Sequence, residues 1–184
     1  LMWHYRTTNG LGFHEYLQLC EDLEMEALYV CNCGMSCQAR NGGGFSEELT
    51  KEYLGEALHA LEYALGDEDT PYGRLRAQNG RKEPFRLKYV EIGNENFGPE
   101  YQVRYEMFYR ALKEAFPQVI YISNGHTERE GLPTDYVDEH YYDAPEFFLE
   151  HTDLFDDYDR SGPKIFLGEY AVNGGNTIAS MECA

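Results

Sequence analysis

Two glutamates that stand at the ends of strand-like segments are the candidates for chemistry in this sequence. Glu95 follows "EIGN" in the segment "EIGNENFG", and Glu169 lies near the end of "PKIFLGEYA". Hydrolysis of a glycosidic bond needs one carboxyl group to protonate the leaving oxygen and a second to act as nucleophile or base. Either glutamate alone is more often a solvated or helix-capping acid. Only the pair, presented together, indicates this chemistry.

The elements that must position these glutamates alternate between strand and helix, which predicts a parallel α/β fold. We expect strands at 27–34, 87–95, 119–123, 136–142 and 163–171, and helices at 11–24, 46–66, 99–116 and 145–155. Residues 67–86 are polar and turn-rich, and we predict a surface excursion there. Several strands end in polar side chains, which favours a (β/α)8 barrel, where all strand ends meet at one mouth, over a doubly wound sheet. The strand count then predicts a partial barrel.

Period-two alternation predicts which side chains share a face of each strand. It places Glu169 with Leu167 and Ile165, and His140 with Tyr142, so that the last two point into the barrel mouth. In a barrel, strands three apart face each other across a narrow interior. This suits the separation of about 5–5.5 Å of a retaining carboxylate pair better than the wider inverting one.

The same alternation places Glu91 on the face of Glu95. A glutamate buried in a lower layer of a barrel needs a partner. The sequence leaves two explanations open, which are a local irregularity at Gly93 and a salt bridge.

The strongly negative charge of the chain limits the classes of partner that it can bind. The net charge is -18, from 15 Lys+Arg against 33 Asp+Glu, and a field of that sign repels phosphate backbones. We therefore expect no nucleic-acid partner. No apolar run approaches the roughly 18 residues of a membrane span, so no membrane partner is expected either. A neutral sugar is compatible with this charge, and some of the 16 Tyr and 10 Phe are suited to lining its pocket.

The cysteines invite a metal interpretation that the sequence does not favour. Cys31, Cys33 and Cys37 lie close together in "VCNCGMSCQ". Zinc sites usually use CxxC pairs or nearby histidines, and this segment has neither. We expect Cys31 and Cys33 to pack on one face of a strand as small apolar residues. The sequence predicts no metal and no organic cofactor.

Three segments in this order resemble the catalytic barrel of the α-L-arabinofuranosidases of glycoside hydrolase family 51. They are "EIGNENFG", "VDEHYYDAPEFFL" and "YDRSGPKIFLGEYA", and "TNGLGFHEYLQLCEDL" with "GMSCQARN" fits the same family. A Gly-Asn-Glu alone is shared by many retaining barrel glycosidases. The three segments together are far more specific. The likeness covers nearly the whole chain except 67–86.

The resemblance implies a role for each candidate residue. Glu95 matches the acid/base at the end of strand four, and Glu169 matches the nucleophile at the end of strand seven. Asn94 matches an asparagine that hydrogen-bonds the sugar. His140 and Tyr142 match strand-six residues that line the sugar pocket and orient the nucleophile. The implied activity is the release of terminal α-L-arabinofuranosyl units from arabinan, arabinoxylan or shorter oligosaccharides.

The resemblance also implies that the chain is a piece of a longer protein. We expect residues 1–184 to form a single incomplete barrel domain with strands three to seven. Strands one, two and eight and a β-sandwich domain would lie outside it, and the isolated piece would be inactive. Two alternatives stay open, namely another retaining barrel glycosidase such as a xylosidase or endo-glucanase, and a catalytically silent sugar-binding fragment. A homo-oligomeric parent and either side of the cell membrane are compatible with the sequence.

Overall fold

The computed structural model describes residues 8, 10–38, 40, 43–125, 127 and 131–173 of the 184-residue chain. Along the described residues the strands and helices follow the predicted order, with one additional helix between the first two strands. The strands are β1 (Ala27–Cys31), β2 (Leu87–Ile92), β3 (Ile120–Asn124), β4 (Tyr136–Asp143) and β5 (Lys164–Val172). The helices are α1 (Phe13–Asp22), α2 (Glu47–Leu65), α3 (Pro71–Gln78), α4 (Gly98–Ala115) and α5 (Pro145–Glu150). After β5 the sequence "GGNTIASMECA" indicates a Gly-rich loop and the start of a helix, and this segment lies outside the described residues.

The chain divides into two compact units, Leu1–Tyr121 and Ile122–Ala184, with the boundary inside β3. In the first unit β1 and β2 pair in parallel, from Ala27 opposite Leu87 to Cys31 opposite Ile92. In the second unit β4 pairs in parallel with β3 on one side and with β5 on the other. The prediction of parallel α/β structure is therefore confirmed within each unit.

The core of the first unit forms around α4. This helix begins with Gly98 and Pro99, as expected for a proline in the first turn, and its buried residues recur at helical spacing. They are Tyr101, Tyr105, Phe108 and Leu112. The Tyr101 hydroxyl donates to the Ile92 carbonyl at 2.8 Å, so the apolar stripe of α4 is also tied to the end of β2 by a hydrogen bond.

The segment 67–86, predicted as a polar surface excursion, is largely exposed, but it also contains the helix α3, which was not predicted. The Thr70 hydroxyl caps the helix by accepting from the Gly73 N–H at 3.2 Å, and Pro71 occupies the first turn. Arg76 is fully buried and donates to the carbonyls of Tyr63 and Lys82, each at 2.7 Å. The polar composition of this segment did not indicate a helix, because the side chain that anchors the helix in the core is an arginine.

The helix expected over 145–155 is shorter than predicted and ends at Glu150. The segment that follows contains Asp153, Asp156 and Asp157 in consecutive turns. Aspartate side chains compete with the helix for backbone hydrogen bonds and favour turns, which explains the early end. None of the helices in the described part of the chain is long and apolar enough to cross a membrane.

Candidate active site

Glu95 lies in a tight turn directly after β2. The backbone enters the turn with φ +86° at Gly93 and has φ +51° at Glu95, which is left-handed in both places. For a residue with a Cβ this conformation costs about 1 kcal/mol. The turn breaks the alternation of β2, so that Glu91 is buried while Glu95 is half-buried. Of the two explanations that the sequence left open for Glu91, the irregularity at Gly93 is the one that the backbone shows.

A buried asparagine that the sequence did not single out holds this turn. Asn96 is 3% exposed, and its Oδ1 accepts from the Asn94 N–H at 3.1 Å and from the Cys33 thiol at 3.4 Å. Its Nδ2 donates to the Ser36 carbonyl at 3.0 Å. Asn94, the candidate sugar-binding residue, is thus fixed through its backbone, with its side chain half-buried directly before Glu95.

The three clustered cysteines divide into two kinds. Cys31 and Cys33 are buried, as expected, but β1 ends at Cys31, so Cys33 packs from the loop after the strand and not from the strand itself. Burial raises the pKa of both thiols, to about 12 for Cys33. Cys37 is half-buried, and its thiol donates to Glu95 Oε2 at 2.8 Å. This contact was not predicted, because nothing in the sequence pairs a residue of one loop with a carboxylate 58 positions away.

In the second unit, Glu169 is placed by a bulge in β5. Glu139 lies opposite Leu167, but the next residue of β4, His140, lies opposite Glu169, so Gly168 is skipped. Opposed residues of a parallel pair project to the same face, and an extra residue reverses the alternation. The prediction that Glu169 shares a face with Leu167 and Ile165 is therefore wrong. Glu169 shares the face of His140.

The side chains on this face meet at the Glu169 carboxylate. The Tyr142 hydroxyl donates a hydrogen bond to Glu169 Oε2, and His140 Nδ1 lies 3.8 Å from the same oxygen. The Glu169 side chain is 38% exposed, so it is held by its neighbours and still open to solvent. The shared face predicted for His140 and Tyr142 agrees with these contacts.

Asp138 is a member of this cluster that the sequence analysis missed. Its Oδ2 lies 2.7 Å from His140 Nε2, and its Oδ1 accepts from the Gly168 N–H at 2.9 Å. Its side chain is 3% exposed. Alternation could have indicated it, because Asp138 lies two residues before His140 in the same strand and therefore on the same face.

The second unit thus brings together His140, Tyr142 and Glu169, and the first unit places Asn94 and Glu95 in one turn. A carboxylate with one oxygen fixed by a hydroxyl donor can attack an electrophilic carbon, and a half-buried carboxyl group can exchange a proton with a leaving oxygen. Parallel α/β structure with carboxylates at strand ends is typical of the barrel glycosidases.

The chain belongs to the family of the α-L-arabinofuranosidase 1 domain, whose family model matches residues 1–160, including 67–86. Among curated proteins it is 38% identical to α-L-arabinofuranosidase 1 of Arabidopsis thaliana, over 98% of this chain and 27% of that protein. It is 35% identical to the extracellular exo-α-L-arabinofuranosidase of Streptomyces chartreusis, over 94% of this chain and 22% of that protein. The chain spans about a quarter of the length of these relatives.

Solved structures agree with the family. An arabinose-bound family 51 α-L-arabinofuranosidase superposes with a TM-score of 0.84 at 34% identity, over 92% of this chain and 27% of that one. The α-L-arabinofuranosidase of Thermotoga maritima in complex with arabinose gives 0.67 at 26% identity, over 94% and 40%. The chain therefore has the fold of a segment of a glycoside hydrolase family 51 α-L-arabinofuranosidase.

Proposed function

We propose that the longer protein carrying this chain is a retaining α-L-arabinofuranosidase that releases terminal, non-reducing arabinofuranosyl units from arabinan- or arabinoxylan-type glycans. The observation that carries the proposal is the Glu169 carboxylate, which accepts from Tyr142, faces His140 and remains 38% exposed. A nucleophile needs this combination of fixed orientation and access to substrate. Membership of the arabinofuranosidase family supports the choice of sugar.

In the first step a Glu169 carboxylate oxygen attacks the anomeric carbon of the bound arabinofuranosyl unit. The bond from that carbon to the leaving oxygen breaks, and the leaving oxygen takes the proton of the Glu95 carboxyl group. The products of this step are the free aglycone and an ester between the sugar and Glu169. The thiol of Cys37, which donates to Glu95 Oε2 at 2.8 Å, holds the acid in place.

In the second step water replaces Glu169 at the anomeric carbon. Glu95, now ionised, takes a proton from the water as its oxygen forms the new bond, and Glu169 leaves as a carboxylate. Two inversions give net retention, and Glu95 ends the cycle protonated again. This chemistry requires no metal and no organic cofactor.

The remaining candidates bind rather than react. Asn94 would hydrogen-bond a hydroxyl of the sugar, and His140 and Tyr142 would line the sugar pocket while orienting Glu169. On this assignment residues 1–184 are the central part of one barrel domain, with strands three to seven. The isolated chain is then expected to be inactive, because a barrel that lacks strands has unpaired edges and an open core.

The test uses the full-length protein and compares nitrophenyl α-L-arabinofuranoside with an arabinan-derived oligosaccharide. General acid catalysis contributes roughly 10²–10⁴-fold, so Glu95→Gln should slow the oligosaccharide far more than the activated nitrophenyl substrate. Glu169→Ala should abolish the hydrolysis of both.

Glu139→Gln is the matched control, since it removes a carboxylate from the face of β4 opposite to the face that carries His140 and Tyr142. Near-native rates for both Glu95→Gln and Glu169→Ala would refute the assignment of the two roles. Activity on nitrophenyl xyloside or cellobioside, with none on the arabinofuranoside, would keep the pair and favour a xylosidase or an endo-glucanase instead.

A further inference from the structure

We propose that Asp138 is a positioning residue for Glu169, acting on it from two sides through the ring of His140 and the backbone of Gly168. The inference rests on the proposed function of Glu169 as nucleophile. It assigns a role in the reaction to a buried carboxylate that lies outside the predicted set of site residues.

The first link runs through His140. Asp138 Oδ2 lies 2.7 Å from His140 Nε2, and a carboxylate can only accept, so the Nε2 atom carries a proton. This fixes the plane of the ring and directs Nδ1 to Glu169 Oε2, 3.8 Å away. The His140 side chain is 14% exposed, so the ring has little room to take another orientation.

The second link runs through the backbone of β5. Asp138 Oδ1 accepts from the Gly168 N–H at 2.9 Å, and Gly168 is the residue skipped by the bulge. A Cβ at position 168 would lie 2.3 Å from Asp138 Oδ1, a distance that Cβ atoms essentially never adopt. The carboxylate thus occupies the space that a side chain would need, and its hydrogen bond fixes the bulge that turns Glu169 toward His140.

Stability alone does not explain a carboxylate at this place. Taking a charged group out of water is costly, and well-packed apolar residues often serve a fold as well or better. The side chain of Asp138 is 3% exposed, and its two oxygens are used separately, one toward each neighbour of Glu169. A group that only filled space would not need two directed acceptors that converge on the same residue.

The test is made in the full-length protein by comparing Asp138→Asn with Glu139→Gln. The two substitutions remove the same charge from adjacent residues that face opposite sides of β4. Misplacing a reacting group by about 1 Å can cost about 100-fold, so we expect Asp138→Asn to lower kcat about 10- to 100-fold. KM should change little, because the contact acts in the transition state.

The loss should be equal for nitrophenyl and oligosaccharide substrates, since both need the nucleophile, whereas a defect in Glu95 would discriminate between them. Glu139→Gln should stay within about 3-fold of the wild type, as expected for a residue outside the site. An Asp138→Asn variant that behaves like Glu139→Gln would overturn the inference.

A second set of variants separates positioning from folding. Gly168→Ala should lower both the melting temperature and kcat, because its methyl group collides with Asp138. Asp138→Ala removes the obstacle, so the double variant Asp138→Ala with Gly168→Ala should regain melting temperature and still have a low kcat. Recovery of kcat in step with melting temperature would show a purely structural role and would overturn the inference.

The controls also separate this inference from the proposed function. If the wild-type protein hydrolyses no arabinofuranoside, or if Glu169→Ala remains active, the proposed function fails and the role of Asp138 fails with it. If the wild type is active and Glu169→Ala is not, while Asp138→Asn matches Glu139→Gln, only the role of Asp138 is wrong.

Discussion

The two candidate catalytic carboxylates are positioned by different physical means. Glu95 owes its place to the backbone of a turn, with left-handed φ angles at Gly93 and at Glu95 itself. Glu169 lies within a strand, and its place depends on a skipped residue and on side chains of the neighbouring strand, chiefly Tyr142. The first arrangement is determined by a few consecutive residues. The second exists only when β4 and β5 pair.

The two units differ in their cores as well. Among the described residues, the buried hydrophobic side chains belong almost entirely to the first unit, and the second contributes Ile122 and Val137. Burial of apolar surface is the main favourable term in folding. The first unit should therefore carry most of the stability, and the second most of the polar contacts around Glu169.

The largest effect we expect is on the core of the first unit. Phe108 is fully buried in α4, so Phe108→Ala should destabilise the protein by about 3–5 kcal/mol. Leu149 in α5 is 51% exposed, and Leu149→Ala should change stability by less than about 1 kcal/mol. Denaturant unfolding followed by circular dichroism measures both. Equal losses would contradict the contrast between the two cores.

The next largest effect concerns the side chains that donate a hydrogen bond to each of the two carboxylates, and it is measured as a loss of kcat/KM. Tyr142→Phe removes a hydroxyl donor from Glu169, and a hydrogen bond to a charged group contributes about 1.5–3 kcal/mol, so kcat/KM should fall at least about 10-fold. Cys37→Ala removes a thiol donor from Glu95. A thiol is a weak donor, and we expect a loss of about 5-fold or less.

Both rates are measured on the same nitrophenyl arabinofuranoside with the full-length protein. A larger loss for Cys37→Ala than for Tyr142→Phe would show that Glu95 depends on side-chain contacts as much as Glu169 does. The contrast between a backbone-held and a side-chain-held carboxylate would then be wrong.

The smallest effect concerns backbone strain and should have opposite signs at the two sites. At position 95 φ is +51°, so Glu95→Gly should be more stable than Glu95→Ala by about 1 kcal/mol. Glu169 lies inside β5, where glycine is unfavourable, so Glu169→Gly should be less stable than Glu169→Ala by about 0.5–1 kcal/mol. Melting temperatures of the four variants test this, and the same sign at both positions would refute it.

Local patterns predicted most of the fold. Ser46 caps α2, Pro99 lies in the first turn of α4, and the buried residues of α4 recur at helical spacing, so both helices are specified by signals within a few residues. The helix α3 was missed because its buried anchor is an arginine, Arg76, whose two terminal guanidinium nitrogens donate to the carbonyls of Tyr63 and Lys82. A helix that is anchored by a buried arginine is not predicted by a pattern of hydrophobic residues.

In the candidate site, too, the features set by neighbouring residues could be predicted, and the contacts between distant residues could not. An irregularity at Gly93 was one of the two explanations that the sequence left open for Glu91, and alternation correctly put His140 and Tyr142 on one face. The face of Glu169 was predicted wrongly because a bulge depends on the pairing of two strands. The contact of Asp138 with Gly168 and that of Cys37 with Glu95 join residues 30 and 58 positions apart, and separations of that size are set by the fold.

The skipped residue in β5 has a consequence for protein engineering. A carboxylate transplanted alone to the end of another strand would keep the ordinary alternation of that strand and project to the wrong side of the sheet. The smallest transferable unit is Glu169 with Gly168 before it and Asp138 on the adjacent strand, since the aspartate both requires the glycine and fixes the offset. A designer would have to graft a pair of strands to move one carboxylate.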